Sequence, residues 1–281
     1  MATINLDGVH LSYDVLGERG PWVALMPGGR RAMDGVSGLA KAIAASGYRV
    51  VIHDRRNCGA ADVVIEGTAS ESEIWAEDLH ALLQHLDALP AYIGGGSSGC
   101  RMSLIYARRH PEHVRGLLLW RITGGAFAAR RLAEQYYGQY IRAAQAGGMQ
   151  AVCETEHFRE RIAARPENRE RLMRMDTGRF IDVMSNWSAY FDRDAGLPVI
   201  GASAGQLSAM RVPACIIPGN DNTHPRPVGE AMHALVPGSE LHLLFPDHVD
   251  VDVVPPEEWA AKEADMAAIF VDFMRRHPPR G

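Results

Sequence analysis

Apolar positions along the 281-residue chain follow two rhythms, one of strands and one of helices. Ile4 to Leu6 and Val9 to Leu16 alternate apolar and polar residues, and Asp7-Gly8 between them is a hairpin signal. Trp22-Val23-Ala24-Leu25-Met26 and Tyr48 to Ile52 are continuous apolar runs, the pattern of strands buried on both faces. Leu39 to Ala45 reads as a helix closed by Gly47. Glu73 to Asp87 reads as another, with Ile74, Leu79, Leu82, Leu83 and Leu86 on one broad face. Ala91 to Gly94 predicts a short strand, Cys100 to Arg109 a helix stopped at His110-Pro111, and Val114 to Trp120 a further strand. Strand and helix alternating at this spacing predict an α/β fold with a mostly parallel, doubly wound sheet.

The rhythm breaks after Gly125. Ala126 to about Arg193 is helical in pattern, rich in Arg, Glu, Met and Tyr, with no strand candidate. Strand and helix resume with Cys215-Ile216-Ile217, a helix from Val228 to Leu235, a strand from Leu241 to Phe245 and a last amphipathic helix from Pro256 to His277. The division this predicts is an α/β core of residues 1–125 and 206–281, interrupted by an all-helical insertion at 126–205. The tail Pro278-Pro279-Arg280-Gly281 is expected to fray.

Composition narrows the function classes. A net charge of -5 and a pI near 6.2 give no reason to expect nucleic acid or an anionic membrane as partner. The expected partner is a small-molecule substrate, and a homodimer is left open. No run of about 18 apolar residues occurs, and the start lacks a basic segment followed by an apolar one, so a cytoplasmic location is expected. Cys58, Cys100, Cys153 and Cys215 form no C-x-x-C, which argues for free thiols and against a zinc or redox motif; no cofactor or metal is implied. Lys41 and Lys262 are the only lysines, so arginine supplies 27 of the 29 basic residues, a skew that fits a GC-rich codon usage.

The chemistry is carried by Gly95-Gly96-Ser97-Ser98-Gly99. It reads G-x-S-x-G between a strand and a helix, the context of a nucleophile elbow. Glycines at both flanks allow a sharp bend that exposes the serine Oγ at a helix N-terminus, where developing negative charge is stabilised. Ser97 fits this register; Ser98, with Cys100 two residues on, fits it less well and would offer its backbone N–H instead.

These pieces together resemble the α/β-hydrolase superfamily, in its single-domain serine-hydrolase form with a helical cap, similar to enol-lactonase-like and esterase-like members. Pro111-Glu112-His113-Val114 is similar to the family's P-E-R-V, fourteen residues after Ser97 as in the family. Asp54-Arg55-Arg56-Asn57-Cys58-Gly59 resembles its D-x-R-G-x-G loop, and Pro27-Gly28-Gly29 stands where the family has its oxyanion loop. Val212 to Asp221 resembles the strand leading into G-x-D, which carries the acid.

The resemblance implies a Ser97–Asp221–His248 triad, in the family's chain order. His248 lies in the loop after the strand at 241–245, where the family places its base, although it follows Asp247 rather than the family's glycine. His224, only three residues from Asp221, is the rival and is expected at the pocket rim. Gly29 and Ser98 are the implied oxyanion donors. The substrate pocket is expected to include Gly28, Arg30, Trp120, Tyr137, Trp187 and His224, with Arg30 or Arg31 available to a substrate carboxylate and the helical insertion as a roof over Ser97.

The expected reaction is cleavage of a small, largely apolar ester or lactone through an acyl-enzyme. A carbon–carbon bond hydrolase acting on a ring-cleavage product would use the same residues, and a non-catalytic ligand-binding member of the fold is the reading from a different class. Members of the fold that attack through Asp are set aside, because the elbow carries serine.

Overall fold

The computed structural model of the chain describes residues 1–245 and 247–278. β1 (Ala2–Leu6) and β2 (Val9–Leu16) form the hairpin, with Ile4 opposite Leu11. Asp7 and Gly8 both hold positive φ, the geometry a two-residue turn of this hand requires. β2 pairs antiparallel with β4 (Arg49–His53), and from there the sheet is parallel. It continues through β3 (Trp22–Met26), β5 (Ala91–Gly96), β6 (Val114–Trp120), β7 (Ala214–Ile217) and β8 (Glu240–Leu241). The strand order is β1-β2-β4-β3-β5-β6-β7-β8.

The unbroken apolar runs follow from burial on both faces. Ala24, Met26, Ile93, Leu117, Leu119 and Ile216 point to one face, where α2 (Glu71–His85) and α3 (Ser98–Arg109) cover them with Trp75, Leu79, Leu82 and Ile105. The neighbours Val23, Leu25, Tyr92, Leu118 and Ile217 point to the other. There α1 (Ser37–Ala45) contributes Leu39 and Ile43, and α12 (Glu263–Arg276) contributes Met266, Phe270 and Phe273. Side-chain alternation along each strand thus sends every second residue into a different core. α2 starts two residues earlier than its apolar stripe suggests, because Ser70 and Glu73 close a capping box.

Between β6 and β7 the chain contributes no strand to the sheet. It forms α4 (Gly125–Ala133), a π-helical turn at Glu134–Gly138, α5 (Gln139–Glu154) kinked at Gly147 and Gly148, α6 (Glu156–Ala164), α7 (Glu167–Met173), α8 (Thr177–Asp194) and α9 (Ala204–Ser208). A third apolar cluster joins α4 to α8 through Tyr140, Phe158, Phe180, Trp187 and Phe191, and includes Val63 and Ile65 from the core, whereas Leu207 of α9 packs in the first cluster.

Two expectations in the last third need correction. The strand expected at Leu241 to Phe245 is the two-residue β8; His242 N still bonds Ile216 O at 2.9 Å, and then the chain leaves the sheet. This is the edge, where Leu243 stays 47% exposed and no outer strand holds the backbone. The single helix expected at 256–277 is two, α11 (Pro256–Ala260) and α12, separated where Lys262 leaves helical geometry. α10 (Arg226–Leu235) precedes β8. All four cysteines are free and buried. Among the described residues no helix is long and apolar enough to cross a membrane. Of the tail expected to fray, Pro279, Arg280 and Gly281 lie outside the described residues.

Candidate active site

The elbow is built by close backbone approach. A Cβ on Gly95 would lie 2.3 Å from the carbonyl carbon of Gly99, and one on Gly99 would lie 2.5 Å from Met26 O. The first turn of α3 therefore packs against the ends of β5 and β3 only because neither position has a side chain. Ser97 between them holds φ 55° and ψ −111°, which costs a non-glycine residue about 1–3 kcal/mol. The surroundings impose it: Ser97 N donates to Trp120 O at 3.1 Å, and Ser97 O accepts from Arg101 N at 3.1 Å.

The residue that meets Ser97 is His224, not His248. His224 Nε2 stands 2.8 Å from Ser97 Oγ, and His224 Nδ1 stands 2.8 Å from Asp221 Oδ1. A carboxylate only accepts, so the imidazole proton sits on Nδ1 and Nε2 is free to accept from the serine hydroxyl. Asp221 Oδ1 also accepts from the backbone N–H groups of Thr223 (3.1 Å) and His224 (2.8 Å). Its Oδ2 accepts from Val254 N at 2.9 Å and from Arg121 Nη2 at 3.3 Å. This turn folds His224 back over Asp221, so a three-residue spacing is what the contact needs. A Cβ on Gly219 would lie 2.3 Å from His224 Cβ, so the turn also depends on glycine there.

Burial pushes the Asp221 carboxyl up, but the hydrogen bond and charge of His224, the Val254 N–H and Arg121 outweigh it and hold the pKa at about 2. Burial pulls His224 down to about 4, with the Arg121 and Arg131 charges acting in the same direction and the Asp221 hydrogen bond against it. The pair rests as carboxylate and neutral imidazole, the form in which a histidine can take a proton.

His248 is exposed, and its Nε2 bonds Asn222 Oδ1 at 3.0 Å. Because β8 is short, the segment bearing His248 runs beside the Asp221 turn and not toward Ser97. It meets that turn through backbone: Val249 N to Asn220 O at 2.7 Å, Asn222 N to Val251 O at 3.0 Å and Thr223 N to Asp252 O at 3.1 Å.

Gly28 and Gly29 lie against the serine; a Cβ on Gly28 would stand 3.2 Å from Ser97 Cβ. Ser98 opens α3, where backbone N–H groups lack intrahelical partners. The Gly29 loop is fastened by a residue the sequence reading left without a role. Arg55, fully buried over the Trp75 ring at 4.4 Å, donates to Gly29 O (2.9 Å) and Ser98 Oγ (3.1 Å), while Ser98 Oγ donates to Gly29 O at 2.7 Å. Its signal was an arginine directly after a buried strand, within the Asp54–Gly59 loop.

Ser97, Gly28, Gly29, Trp120, Tyr136 and His224 line one pocket of about 600 Å³, whose wall includes Arg131 and Leu132 of α4 and Trp259 of α11. Three residues expected in it stand elsewhere. Arg30 is buried in an ion pair with Glu71, whose carboxylate also accepts from Asn57 Nδ2 (2.9 Å) and Tyr137 Oη (3.1 Å). Trp187 Nε1 donates to Ala69 O at 2.9 Å. Tyr137 and Trp187 line a separate cavity of about 370 Å³ with Arg101 and Phe191. The cause is the π-helical turn, which splays the Tyr136 and Tyr137 rings 86° apart, one toward Gly29 and the other toward Glu71.

A doubly wound sheet with a strained serine elbow at the carboxyl edge defines the α/β-hydrolase fold. The family model described as alpha/beta hydrolase fold matches residues 21–153 of this chain. It is 32% identical over 116 residues to an uncharacterized hydrolase, YraK, of Bacillus subtilis, covering 41% of this chain and 42% of that protein. It is 30% identical over 124 residues to a proline iminopeptidase of Neisseria gonorrhoeae, covering 43% of this chain and 36% of that protein. The match thus spans about two fifths of the length of these curated relatives. Solved structures resemble nearly the whole chain. A hydrolase from Pseudomonas aeruginosa superposes with TM-score 0.66 at 19% identity, covering 97% of each chain. The enol-lactonase of Burkholderia xenovorans gives 0.63 at 19%, covering 98% of this chain and 100% of that one. The meta-cleavage product hydrolase of Pseudomonas fluorescens gives 0.68 at 17%, covering 99% and 98%. At these identities the likeness establishes the fold.

Proposed function

We propose that the protein is a serine hydrolase that cleaves a small, largely apolar ester or lactone through an acyl-enzyme on Ser97. The observation that carries this is the Ser97–His224–Asp221 chain, with 2.8 Å at both links. His224 Nε2 takes the Ser97 proton as Oγ attacks the substrate carbonyl. Asp221 stays ionised and stabilises the imidazolium. The N–H groups of Gly29 and Ser98 receive the oxyanion, and each such donor contributes about 10²–10³-fold to kcat. His224 then returns the proton to the leaving alkoxide, and the ester bond breaks. Water, deprotonated by the same nitrogen, releases the acyl group and restores Ser97.

Trp120, Leu132, Tyr136 and Trp259 favour an apolar acyl group, and the hydrolase, lactonase and peptidase names among similar proteins agree with acyl transfer. The test is turnover of p-nitrophenyl acetate and butyrate, with fluorophosphonate labelling mapped by mass spectrometry. One label per chain on Ser97, absent in Ser97→Ala, is expected. A protein that neither turns over nor labels is a binding protein on this fold, and the proposal fails. Activity confined to carbon–carbon cleavage of a ring-cleavage product would move the substrate class while keeping the residues.

A further inference from the structure

The stretch His110-Pro111-Glu112-His113 carries histidine where the family's P-E-R-V has arginine, and nothing at Ser97 uses it. In the fold it meets His80. His80 comes from the outer part of α2, His110 from the C-terminal end of α3, and His113 from the 3₁₀ turn Pro111–His113 that leads into β6. All three are half-buried, and one donor atom from each lies within 4.8 Å of the others. Among the described residues this is the one group of three or more such side chains that converges so closely.

The outer shell of a metal site is also present. His80 Nδ1 is 3.1 Å from Tyr106 Oη, and His110 Nε2 lies 3.2 and 3.3 Å from the Glu77 carboxylate oxygens. These contacts leave the second nitrogen of each ring to a ligand, as with metal-bound histidines oriented by a carboxylate or hydroxyl. His113 Nδ1 is buried without a hydrogen bond and lies 3.3 Å from Glu112 Oε1, a carboxylate that a metal-bound imidazole can use as its outer partner.

We propose that His80, His110 and His113 bind a divalent transition metal ion, of which zinc is the best fit. Three imidazoles with room for a water suit zinc, with bonds of about 2.0–2.1 Å. The His80 and His110 rings now stack in parallel, 3.8 Å between centroids and 3° between planes. Parallel rings cannot aim at one ion, so one half-exposed ring turns about its Cβ–Cγ bond on binding. The ion then ties α2, the end of α3 and the start of β6 together. α3 spans twelve residues, so the site sits about 18 Å along that helix from Ser97. It acts on stability and leaves the reaction alone.

The experiment is calorimetric titration of the chelator-stripped full chain with zinc chloride, and thermal melts with and without zinc. One site per chain is expected, and a rise in Tm of roughly 5 °C at a zinc concentration a hundredfold above Kd. His80→Gln and His113→Asn, each checked by circular dichroism, should each weaken binding tenfold or more. His224→Ala should bind zinc like the wild type. Retained binding in the His80→Gln/His113→Asn double variant overturns the assignment, as does loss of binding in His224→Ala. If a variant fails to fold, cobalt(II) titrated into the wild-type chain decides. A four-coordinate absorption spectrum that zinc displaces supports the site; no spectral change at one equivalent overturns it.

Discussion

Replacing Gly219 by alanine isolates the geometry of the proton relay. The added Cβ would sit 2.3 Å from His224 Cβ and 2.4 Å from His224 O. Ordinary carbon contacts lie at about 3.5–4.0 Å, so the histidine must retreat by roughly 1.2 Å. That carries Nε2 from 2.8 Å to about 4 Å from Ser97 Oγ, beyond hydrogen-bond range. A displacement of this size costs about 10²-fold in rate, or about 2.7 kcal/mol in the barrier. The contact alone acts, since Gly219 does not hold a left-handed φ. Overpacking should also cost about 1–3 kcal/mol of stability, seen as a Tm lower by several degrees. The assay is kcat for p-nitrophenyl butyrate at 25 °C, with the fluorophosphonate labelling rate of the same samples and circular dichroism to establish folding. Both rates should fall together by about 10². A folded Gly219→Ala protein with kcat within twofold of wild type would refute the reasoning, because the clash would then relax without moving His224.

Three other outcomes follow from the same geometry. His224→Ala should lower kcat by about 10⁴-fold or more, whereas His248→Ala should leave it within twofold; the opposite ranking would put the base on the second loop. The acid limb of kcat/KM should fall near pH 4 and not near the reference 6.5, because His224 works as the neutral base and is lost only as pH drops through its depressed pKa. The matching stability contribution is complete above about pH 6.5 and disappears as pH falls toward 4, so a titration midpoint at 6.5 in activity contradicts the buried dyad. Arg55→Met should leave Gly29 O with Ser98 Oγ as its one remaining side-chain donor and remove the Arg55 donor from Ser98 Oγ, cutting kcat by about 10-fold or more with little change in KM; an unchanged kcat would show that the loop holds itself.

Most of the sheet was legible because its strands are buried on both faces. Trp22–Met26 and Val114–Trp120 announce themselves as apolar runs, and Gly95 and Gly99 make sense only as a bend around Ser97. What patterning could not show was polar turn geometry. His248 had the expected chain position, but position presupposed a full last strand, and the edge of the sheet supports only two residues of one. His224 was judged by its nearness to Asp221, while the turn at Asp221 makes nearness the means of contact. Gly219 on one side and Pro225 on the other were the available clues. Tyr137 was expected in the pocket with the insertion read as helical throughout, whereas the backbone at Glu134–Gly138 is a π turn that brings Tyr136 to it instead. Arg30 reads as a pocket cation free for a substrate carboxylate because Glu71, its partner, lies far along the chain.

Acid and base on one turn change what the C-terminal loop is answerable for. Seven consecutive residues, Gly219 to Pro225, carry both the acid and the base that face Ser97, while Arg121 and Val254 N hold the acid from outside the turn. The segment after β8 contributes a backbone clamp from Val254 and a pocket wall from Val253, neither of which depends on a side chain that moves protons. Under the proposed mechanism a change at Val253 reshapes the pocket wall without replacing a side chain that moves protons.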